Sequence, residues 1–365
     1  MICQLTVDTR HSCFKLLIVL PSWVGDTVMA TPFLRGLRMI PRFREARVTL
    51  LHKPGLEELL AGSGLADEML RAEGNMVREA RGLGGGRFDE AILLPNSFRS
   101  ALTVLLARIP KRIGYGRDGR SLLLTRALGA PVPGGFGEPI SAVDYYLHLL
   151  RMITDDSGQG QTPFDRRIRL TPTGGQVEAA NRMLERAGIA GEGERLVLLN
   201  PGGNRMDKRW PAERFAALAD HIAERSEVRI LLNGSPGERA LLGSIASMCR
   251  AARPVNLAEL GGTLGTLLGI CARCALVVTN DTGTRHIAAA AGFDHLCRAE
   301  EARGRGEAHV SAGRPTRLVT LYGPTDPKWA EIDYPMELEL RPGSHNLADL
   351  GLEEVARAAM DSLLE

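Results

Sequence analysis

The 365-residue sequence has few cysteines, no long apolar run and almost no excess of either charge. Six scattered cysteines are too few for a disulfide scaffold, which is typical of a protein from a reducing cytoplasm. Nowhere do about 18 apolar residues follow one another. The first apolar run ends at Pro21, so we expect neither a membrane-spanning helix nor an export signal. The formal net charge of +2 does not predict a nucleic-acid partner.

Short apolar runs alternate with helical patterns along the whole chain, which is typical of parallel sheets with crossover helices. The predicted strands lie at residues 15–20, 47–51, 90–94, 196–199, 228–232 and 275–279. Residues 155–173 contain few large apolar side chains and are interpreted as a linker. We therefore predict an α/β protein with two Rossmann-like domains, residues 1–165 and 166–365, facing a central cleft. An amphipathic helix at 352–364 either completes the second domain or packs back on the first.

The first polar segment, PSWVGDT at residues 21–27, joins a predicted strand to a predicted helix. Such junctions lie at the carboxyl ends of strands, where ligands bind in α/β sheets. Gly25 lets the backbone turn tightly, and Asp26 is interpreted either as the cap of the helix or as a carboxylate presented to a ligand. An exposed Trp23 in this loop favours the second interpretation.

The second polar segment, NPGGNRMDKRWP at residues 200–211, has the same position in the second half of the chain. Gly202 and Gly203 permit a close approach of the backbone, and Lys208 adds positive charge next to a helix N-terminus, which itself favours anions. The segment therefore predicts a phosphate site, although its spacing is not that of a P-loop. A solvated basic loop is the alternative interpretation.

The third polar segment, TNDTGTRH at residues 279–286, also leads from a strand into a helix. Backbone N–H groups and threonine hydroxyls around Thr282 can hold phosphate oxygens, and His286 lies one turn into the helix. A purely structural histidine is the alternative.

The Asp-Thr-Gly triplet also matches aspartic proteases, but these need two such carboxylates. Nearby Cys271 and Cys274 have no second pair at a matching spacing, so ordinary buried thiols are expected rather than a zinc or redox site.

A fourth segment places Asn96 and Ser97 directly after another predicted strand. Basic side chains then follow in a cluster at Arg99, Arg108, Lys111, Arg112, Arg117 and Arg120. In a chain with balanced charge, such a cluster predicts a local positive patch that suits an acidic substrate or a membrane surface. A solvated helix face is the alternative interpretation.

Taken together, these segments resemble the ADP-heptose:lipopolysaccharide heptosyltransferases, glycosyltransferase family 9. The resemblance spans roughly residues 15–340 and is carried by LPSWVGDTVMATPFLRGLR, LPNSFRSAL, IPKRIGY, NPGGNRMDKRWP, VVTNDTGTRHIAAAAG and LYGPTDP. PSWVGD and LPNSFRSAL resemble the heptosyltransferase II branch, which adds the second heptose of the inner core. The resemblance implies a GT-B fold and inverting transfer of L-glycero-D-manno-heptose from ADP-heptose to the lipid A-linked inner core. It also implies no cofactor, no metal and a place at the cytoplasmic face of the inner membrane, with peripheral contact to it.

The resemblance further implies a role for individual residues. Asp26 would be the general base that activates the acceptor hydroxyl, and Lys208 would contact the donor's phosphate. The other predicted donor contacts are Gly202, Gly203, Asn204, Gly234, Glu238, Asp281, Thr282, Gly283 and His286. The predicted acceptor contacts come instead from the first and fourth polar segments themselves and are Trp23, Asn96, Ser97, Arg99, Lys111 and Arg112.

Two segments depart from the family pattern. Residues 1–12 lie outside it, and residues 293–316 are inserted where the family passes almost directly into a strand. Because the insertion is rich in Arg, Glu, Ala and Gly, we expect it to be exposed and mobile beside the donor site. Two other functions stay open: a GT-B glycosyltransferase with another nucleotide sugar or acceptor, and a nucleotide-sugar-binding protein without turnover.

Overall fold

A computed structural model describes most of the chain. The described residues are 14–131, 140–154, 163–189, 191, 193–203, 205–305, 314–323, 327–344 and 346–364. They form two six-stranded sheets, in which the paired strands are parallel and helices connect them. The predicted alternation of strands and helices is therefore confirmed.

The first sheet has the strand order β3-β2-β1-β4-β5-β6. Its strands are β1 (Lys15–Val19), β2 (Arg47–His52), β3 (Glu68–Arg71), β4 (Glu90–Leu93), β5 (Lys111–Tyr115) and β6 (Arg126–Leu128). Its helices are α1 (Val24–Met29), α2 (Thr31–Met39), α3 (Pro41–Arg44), α4 (Leu56–Leu60), α5 (Met76–Gly86), α6 (Phe98–Leu106) and α7 (Ala142–Thr154). The run KLLIV forms a central strand because parallel strands are covered on both faces and therefore favour continuous apolar sequence.

The second sheet has the order β12-β11-β10-β7-β8-β9. Its strands are β7 (Leu196–Asn200), β8 (Arg229–Leu232), β9 (Val255–Asn256), β10 (Cys274–Asn280), β11 (Arg317–Leu321) and β12 (Glu337–Leu340). Its helices are α8 (Gly174–Arg186), α9 (Ala212–Arg225), α10 (Arg239–Met248), α11 (Leu257–Leu260), α12 (Leu264–Cys271), α13 (Gly283–Gly304) and α14 (Leu352–Leu364). None of the helices in the described part of the chain is long and apolar enough to cross a membrane.

The C-terminal helix α14 packs on the second domain, against α9, β10 and β11. Its buried face consists of Val355, Ala356, Ala358, Ala359 and Leu363. The sequence left open whether this helix reaches back to the first domain, and the structure places it on the second. The predicted boundary between residues 165 and 166 stays a prediction.

The segment expected to be an exposed, mobile insertion begins as part of a helix with one buried face, so the expectation of exposure is wrong for Phe293, Asp294 and Cys297. Helix α13 continues without interruption to Gly304, and Phe293, Asp294 and Cys297 are buried along it. The physical reason is an ion pair: the Asp294 carboxylate accepts hydrogen bonds from Arg169 Nε at 2.8 Å and from Thr171 Oγ1 at 2.6 Å. The helix is therefore anchored to the chain that links the domains. Residues 306–313 lie outside the described residues.

The four described cysteines are free thiols, and Cys271 and Cys274 are buried. Burial raises the pKa of the Cys274 thiol to about 12, which keeps it protonated and unreactive. Both thiols are therefore buried, as the sequence predicted.

Candidate functional site

The two domains meet where α1, which follows β1, packs against α13, which follows β10. Two glycines permit this close approach. A Cβ on Gly283 would lie 2.9 Å from Cβ of Val24, and a Cβ on Gly25 would lie 3.0 Å from Nδ1 of His286. The structure thus brings the first and third polar segments together at the carboxyl ends of strands in both sheets.

Asp26 lies in the first turn of α1 but does not cap it. The N-cap is Trp23, whose side chain makes no capping hydrogen bond and is 63% exposed. Asp26 Oδ1 instead accepts a hydrogen bond at 3.2 Å from Nε1 of Trp329, which belongs to the second domain. Burial raises the pKa of the Asp26 carboxyl above its ordinary value, and the hydrogen bond from Trp329 opposes that rise. The capping interpretation of Asp26 is therefore wrong, and its carboxylate faces the junction of the domains.

An aromatic contact links Asp26 to the predicted acceptor residue Asn96. The Trp329 ring packs against Tyr145 at a centroid distance of 5.3 Å, and the Tyr145 hydroxyl accepts a hydrogen bond from Asn96 Nδ2 at 2.8 Å. Neither Tyr145 nor Trp329 was predicted from the sequence. For Trp329 a signal was present, because it follows the family segment LYGPTDP by two residues.

Arg120 fixes the loop that carries Asn96 and Ser97. The Ser97 side chain caps α6 by accepting from the backbone N–H of Ser100 at 3.3 Å. The fully buried Arg120 guanidinium donates to the backbone carbonyl oxygens of Pro95 and Ser97. Arg120 was predicted in the positive patch, but it is buried and positions this loop.

The remaining predicted acceptor cations do not form a single patch, because Arg99 lies apart from Lys111 and Arg112. Lys111 pairs in register with Glu90, the first residue of β4, so Lys111 and Arg112 lie at the amino edge of the sheet, opposite the edge that carries Asn96. The Arg112 guanidinium donates to backbone carbonyls there. Arg99 is exposed in the first turn of α6 and donates to the carbonyl of Gly74. The structure therefore does not bring Lys111 and Arg112 together with Asp26.

The glycine loop after β7 is fixed by Glu238. Its Oε1 accepts from the backbone N–H of Gly203 at 2.9 Å, and its Oε2 accepts from that of Ser235 at 2.8 Å. A Cβ on Gly202 would overlap the Glu238 carboxylate, and one on Gly234 would lie 3.2 Å from Glu238 Cβ. Burial acts to raise the pKa of Glu238, but the hydrogen bonds from Ser235 and Gly203 outweigh it and hold the pKa below its ordinary value. Asn204 lies outside the described residues.

Lys208 and Asp281 come from different motifs and form an ion pair, with Nζ 3.3 Å from Oδ2. Next to them, Thr282 Oγ1 accepts from Asn200 Nδ2 at 3.1 Å. Asn200 Oδ1 in turn accepts from Asn233 Nδ2 at 2.7 Å. This amide network, which the sequence analysis missed, holds the N-terminus of α13 against β7. The predicted phosphate segments are thus brought together around one lysine and one helix N-terminus.

His286 is buried at the junction of the domains rather than open to solvent. Burial, and then the charge of Arg285, lower the pKa of its imidazole to about 4, so the ring is neutral at pH 7. Its Nδ1 lies 3.2 Å from the carbonyl oxygen of Thr282, and its Nε2 lies 3.5 Å from Arg285 Nη1. With Nδ1–H donating to Thr282, Nε2 is the acceptor that faces the arginine.

Arg285 is a fully buried cation that the sequence analysis did not single out. Its Nε and Nη2 donate to Glu337 at 2.6 and 2.8 Å, and Glu339 lies 3.4 Å away. The guanidinium also lies over the Tyr322 ring, 5.2 Å from its centroid. Arg285 thus ties the start of α13 to the edge strand β12.

His286 should make the stability of the protein depend on pH. Between pH about 6.5 and 4 the unfolded chain binds a proton that the folded imidazole excludes, so the free energy of unfolding falls as pH falls through this window. The expected loss from this group between pH 7 and pH 5 is about 2 kcal/mol. Urea unfolding at both pH values measures it. In a His286→Gln variant this part of the pH dependence should disappear, whereas His221→Gln on α9 should retain it; equal pH dependence in all three proteins would contradict the assignment.

Within the described ranges, no group of three or more His, Cys, Asp or Glu side chains is placed to bind a metal ion. Independence of metals and cofactors stays a prediction.

The sequence and the two-sheet fold match known proteins. The sequence model of glycosyltransferase family 9 (heptosyltransferase) matches residues 76–294. Lipopolysaccharide heptosyltransferase 2 of Salmonella typhimurium is 29% identical over 325 residues, which cover 86% of this chain and 84% of that protein. The solved structure of the E. coli ADP-heptose lipopolysaccharide heptosyltransferase II has a TM-score of 0.75 at 25% identity and covers 96% of this chain and 99% of that chain.

A solved family 9 glycosyltransferase from Veillonella parvula has a TM-score of 0.77 at 20% identity, covering 96% of this chain and 97% of that chain. At this identity the similarity concerns the fold alone. The structural matches confirm the predicted fold class, two Rossmann-like domains in the GT-B arrangement.

Proposed function

Because this chain belongs to glycosyltransferase family 9, the heptosyltransferases, we propose that it transfers L-glycero-D-manno-heptose from ADP-heptose to the inner core of lipopolysaccharide. Membership of the family makes it a glycosyltransferase. The identities of the donor and the acceptor are what we propose. The names of the Salmonella relative and of the E. coli structure, both heptosyltransferase II enzymes, support the second inner-core heptose as the sugar transferred.

The observation that carries the proposal is the position of Asp26. Its carboxylate belongs to the first domain, does not cap α1, and lies at the junction with the second domain beside the N-terminus of α13. A base that takes a proton from the acceptor hydroxyl must lie within hydrogen-bond reach of that hydroxyl when the acceptor meets the donor. Of the carboxylates in the predicted site, Glu238 and Asp281 are engaged in holding the glycine loop and Lys208.

In the proposed reaction, Asp26 takes the proton of the acceptor hydroxyl as the hydroxyl oxygen bonds to the anomeric carbon of heptose. The bond between that carbon and the diphosphate breaks, and ADP leaves with the electron pair. Attack on the face opposite ADP inverts the anomeric configuration. Lys208 and the backbone N–H groups at the start of α13 meet the negative charge that develops on the diphosphate.

The acceptor side of the proposal uses the first domain. Trp23, Asn96, Ser97 and Arg99 follow the carboxyl ends of β1 and β4 and lie on the same edge of the sheet as Asp26. Since the proposed acceptor is anchored in lipid A, we also propose that the enzyme works at the cytoplasmic face of the inner membrane and contacts it peripherally. Lys111 and Arg112, on the opposite edge, are not assigned to the acceptor site.

The proposal is tested by ADP release from the purified protein with ADP-heptose, with and without a lipopolysaccharide core that ends at the first heptose. We expect release that depends on this core and is unchanged by EDTA, because Lys208 and the α13 N-terminus supply the positive charge that a metal would otherwise supply. A core lacking both heptoses should be a poor acceptor. Release with UDP- or GDP-sugars but not ADP-heptose would instead favour another nucleotide sugar, and tight ADP-heptose binding without release on any core would favour a binding protein.

A further inference from the structure

Trp329 places a single hydrogen-bond donor from the second domain on the carboxylate of the first. We infer that Trp329 is a positioning residue for Asp26: when the domains meet, its indole N–H occupies one carboxylate oxygen and leaves the other free to take the proton of the acceptor hydroxyl. The inference rests on the proposed role of Asp26 as the general base.

The geometry of the contact restrains the carboxylate. Trp329 Nε1 lies 3.2 Å from Oδ1 of Asp26, and an indole has one N–H donor and no acceptor. The ring itself is held edge-on against Tyr145, with an angle of 62° between the ring planes. Trp329 is 42% exposed, unlike Trp210, which is buried in the core. A large ring that stays partly in solvent and directs its one polar atom at a carboxylate suits a positioning role better than a role in core packing.

The elements packed against α1 carry other titratable and charged groups. Helix α7 carries Tyr146, whose pKa is raised well above its ordinary value by burial, so its phenol stays neutral. Helix α13 carries the neutral His286 and the cation Arg285, which is paired with Glu337.

Two arginines on α2 and an ion pair beside Trp329 complete these surroundings. On α2, Arg35 donates to the carbonyl of Arg167, and Arg38 pairs with Asp67. Beside Trp329, Lys328 pairs with Glu331 at 2.6 Å. Among the described residues, Trp329 donates the side-chain hydrogen bond that Asp26 accepts. Removing the indole N–H should therefore change the pKa of that carboxylate directly.

The contact also joins the base to the second domain. Trp329 lies on the short turn Pro327–Ala330 of the second domain, whereas Asp26 lies on the first. When the domains are together, the N–H stabilises the ionised carboxylate and opposes the rise in the pKa of Asp26 that burial causes. When they separate, the restraint is lost.

The test compares Trp329→Phe with the wild-type enzyme in the core-dependent ADP-release assay from pH 5 to 9. Phenylalanine keeps an aromatic ring against Tyr145 but removes the N–H. The acidic limb of the pH profile of kcat/KM should move to higher pH by about 1 unit. The reason is that the free energy of a hydrogen bond to a charged group corresponds to a pKa shift of about one unit. At the plateau, kcat should fall about tenfold for loss of the restraint, with KM for ADP-heptose within about twofold. Lys328→Gln, in the same turn, should keep the wild-type pH profile.

An unmoved acidic limb in Trp329→Phe would overturn the inference, whether or not kcat falls, because a purely structural residue would change the rate without changing the pKa. A shift of the same size in Lys328→Gln would also overturn it. An Asp26→Asn variant keeps the two hypotheses apart. If Asp26→Asn retains turnover and the acidic limb, the proposed base is wrong; if Asp26→Asn is inactive and Trp329→Phe keeps the wild-type limb, only the role of Trp329 is wrong.

Discussion

Replacing Asp26 with asparagine should lower kcat by about 10²- to 10⁴-fold while the affinity for ADP-heptose stays unchanged. Asparagine has the same size, and its Oδ1 can still accept the hydrogen bond that Trp329 donates to Asp26 Oδ1. It cannot take a proton from the acceptor hydroxyl. The expected loss is therefore in the chemical step rather than in binding or folding.

The measurement combines ADP release at saturating substrates with ADP-heptose binding by calorimetry and the melting temperature of each protein. Asp361→Asn is a matched control, since it removes a carboxylate from the exposed face of α14, on the second domain. We expect this control to have wild-type kcat. Turnover by Asp26→Asn within about threefold of wild type would contradict the base assignment, and an unfolded Asp26→Asn variant would show that the carboxylate is needed for structure.

The local features of this site could be predicted from the sequence because each lies within a short segment. Asp26 lies in the first turn of the helix that follows the buried strand β1, and Lys208 and Asp281 each lie between a strand and a helix. In a parallel sheet these junctions must lie at the carboxyl edge. The fold class and the family followed from the same strand-to-helix segments, and the structural and sequence comparisons confirm both.

Long-range pairings could not be predicted in this way. Trp329 contacts Asp26 across 303 positions of sequence, and Arg285 contacts Glu337 across 52. The adjacent residues Lys111 and Arg112 were assigned to the cleft because they are basic, but a strand that starts at the amino edge places them far from Asn96. Nearness in sequence does not show at which edge of the sheet a strand residue lies. It also does not show which distant residue pairs with a buried charge.

The helix at residues 293–304, where an exposed segment was expected, illustrates the same limit. Arg, Glu and Ala are good helix formers and are also common in exposed loops, so composition alone did not distinguish the two. The deciding contact is between Arg169, in the segment between α7 and α8, and the buried Asp294. That pair is 125 residues apart in the chain, and no local pattern at 293–305 indicates it.

Removing the guanidinium of Arg285 should cause the largest loss of stability. Arg285→Met would leave the buried carboxylate of Glu337 without the cation that now donates to both its oxygens. Breaking a buried pair from one side typically lowers the free energy of unfolding by about 3–5 kcal/mol, because the remaining charge stays buried without compensation. Urea unfolding followed by circular dichroism at pH 7.5 measures this loss.

A matched control lies in the same cluster. Arg341 pairs with Glu339 at 2.6 Å and lies over the same Tyr322 ring, 4.6 Å from its centroid, but its side chain is 43% exposed. Exposed pairs of this kind contribute about 0–1 kcal/mol, so Arg341→Met should change the free energy of unfolding little. If the two variants lose equal stability, burial of the Arg285 pair does not matter.

The cause of the loss can be separated from simple loss of packing by a double variant. In Arg285→Met with Glu337→Gln, the charge that the first substitution leaves unpaired is also removed, and the glutamine can still accept from Thr320 Oγ1. If an uncompensated carboxylate is what destabilises Arg285→Met, the double variant should be more stable than the single one by about 1–3 kcal/mol. If instead the guanidinium stabilises the protein mainly by packing between α13 and β12, the second substitution should add a further loss, and the two variants should rank in the opposite order.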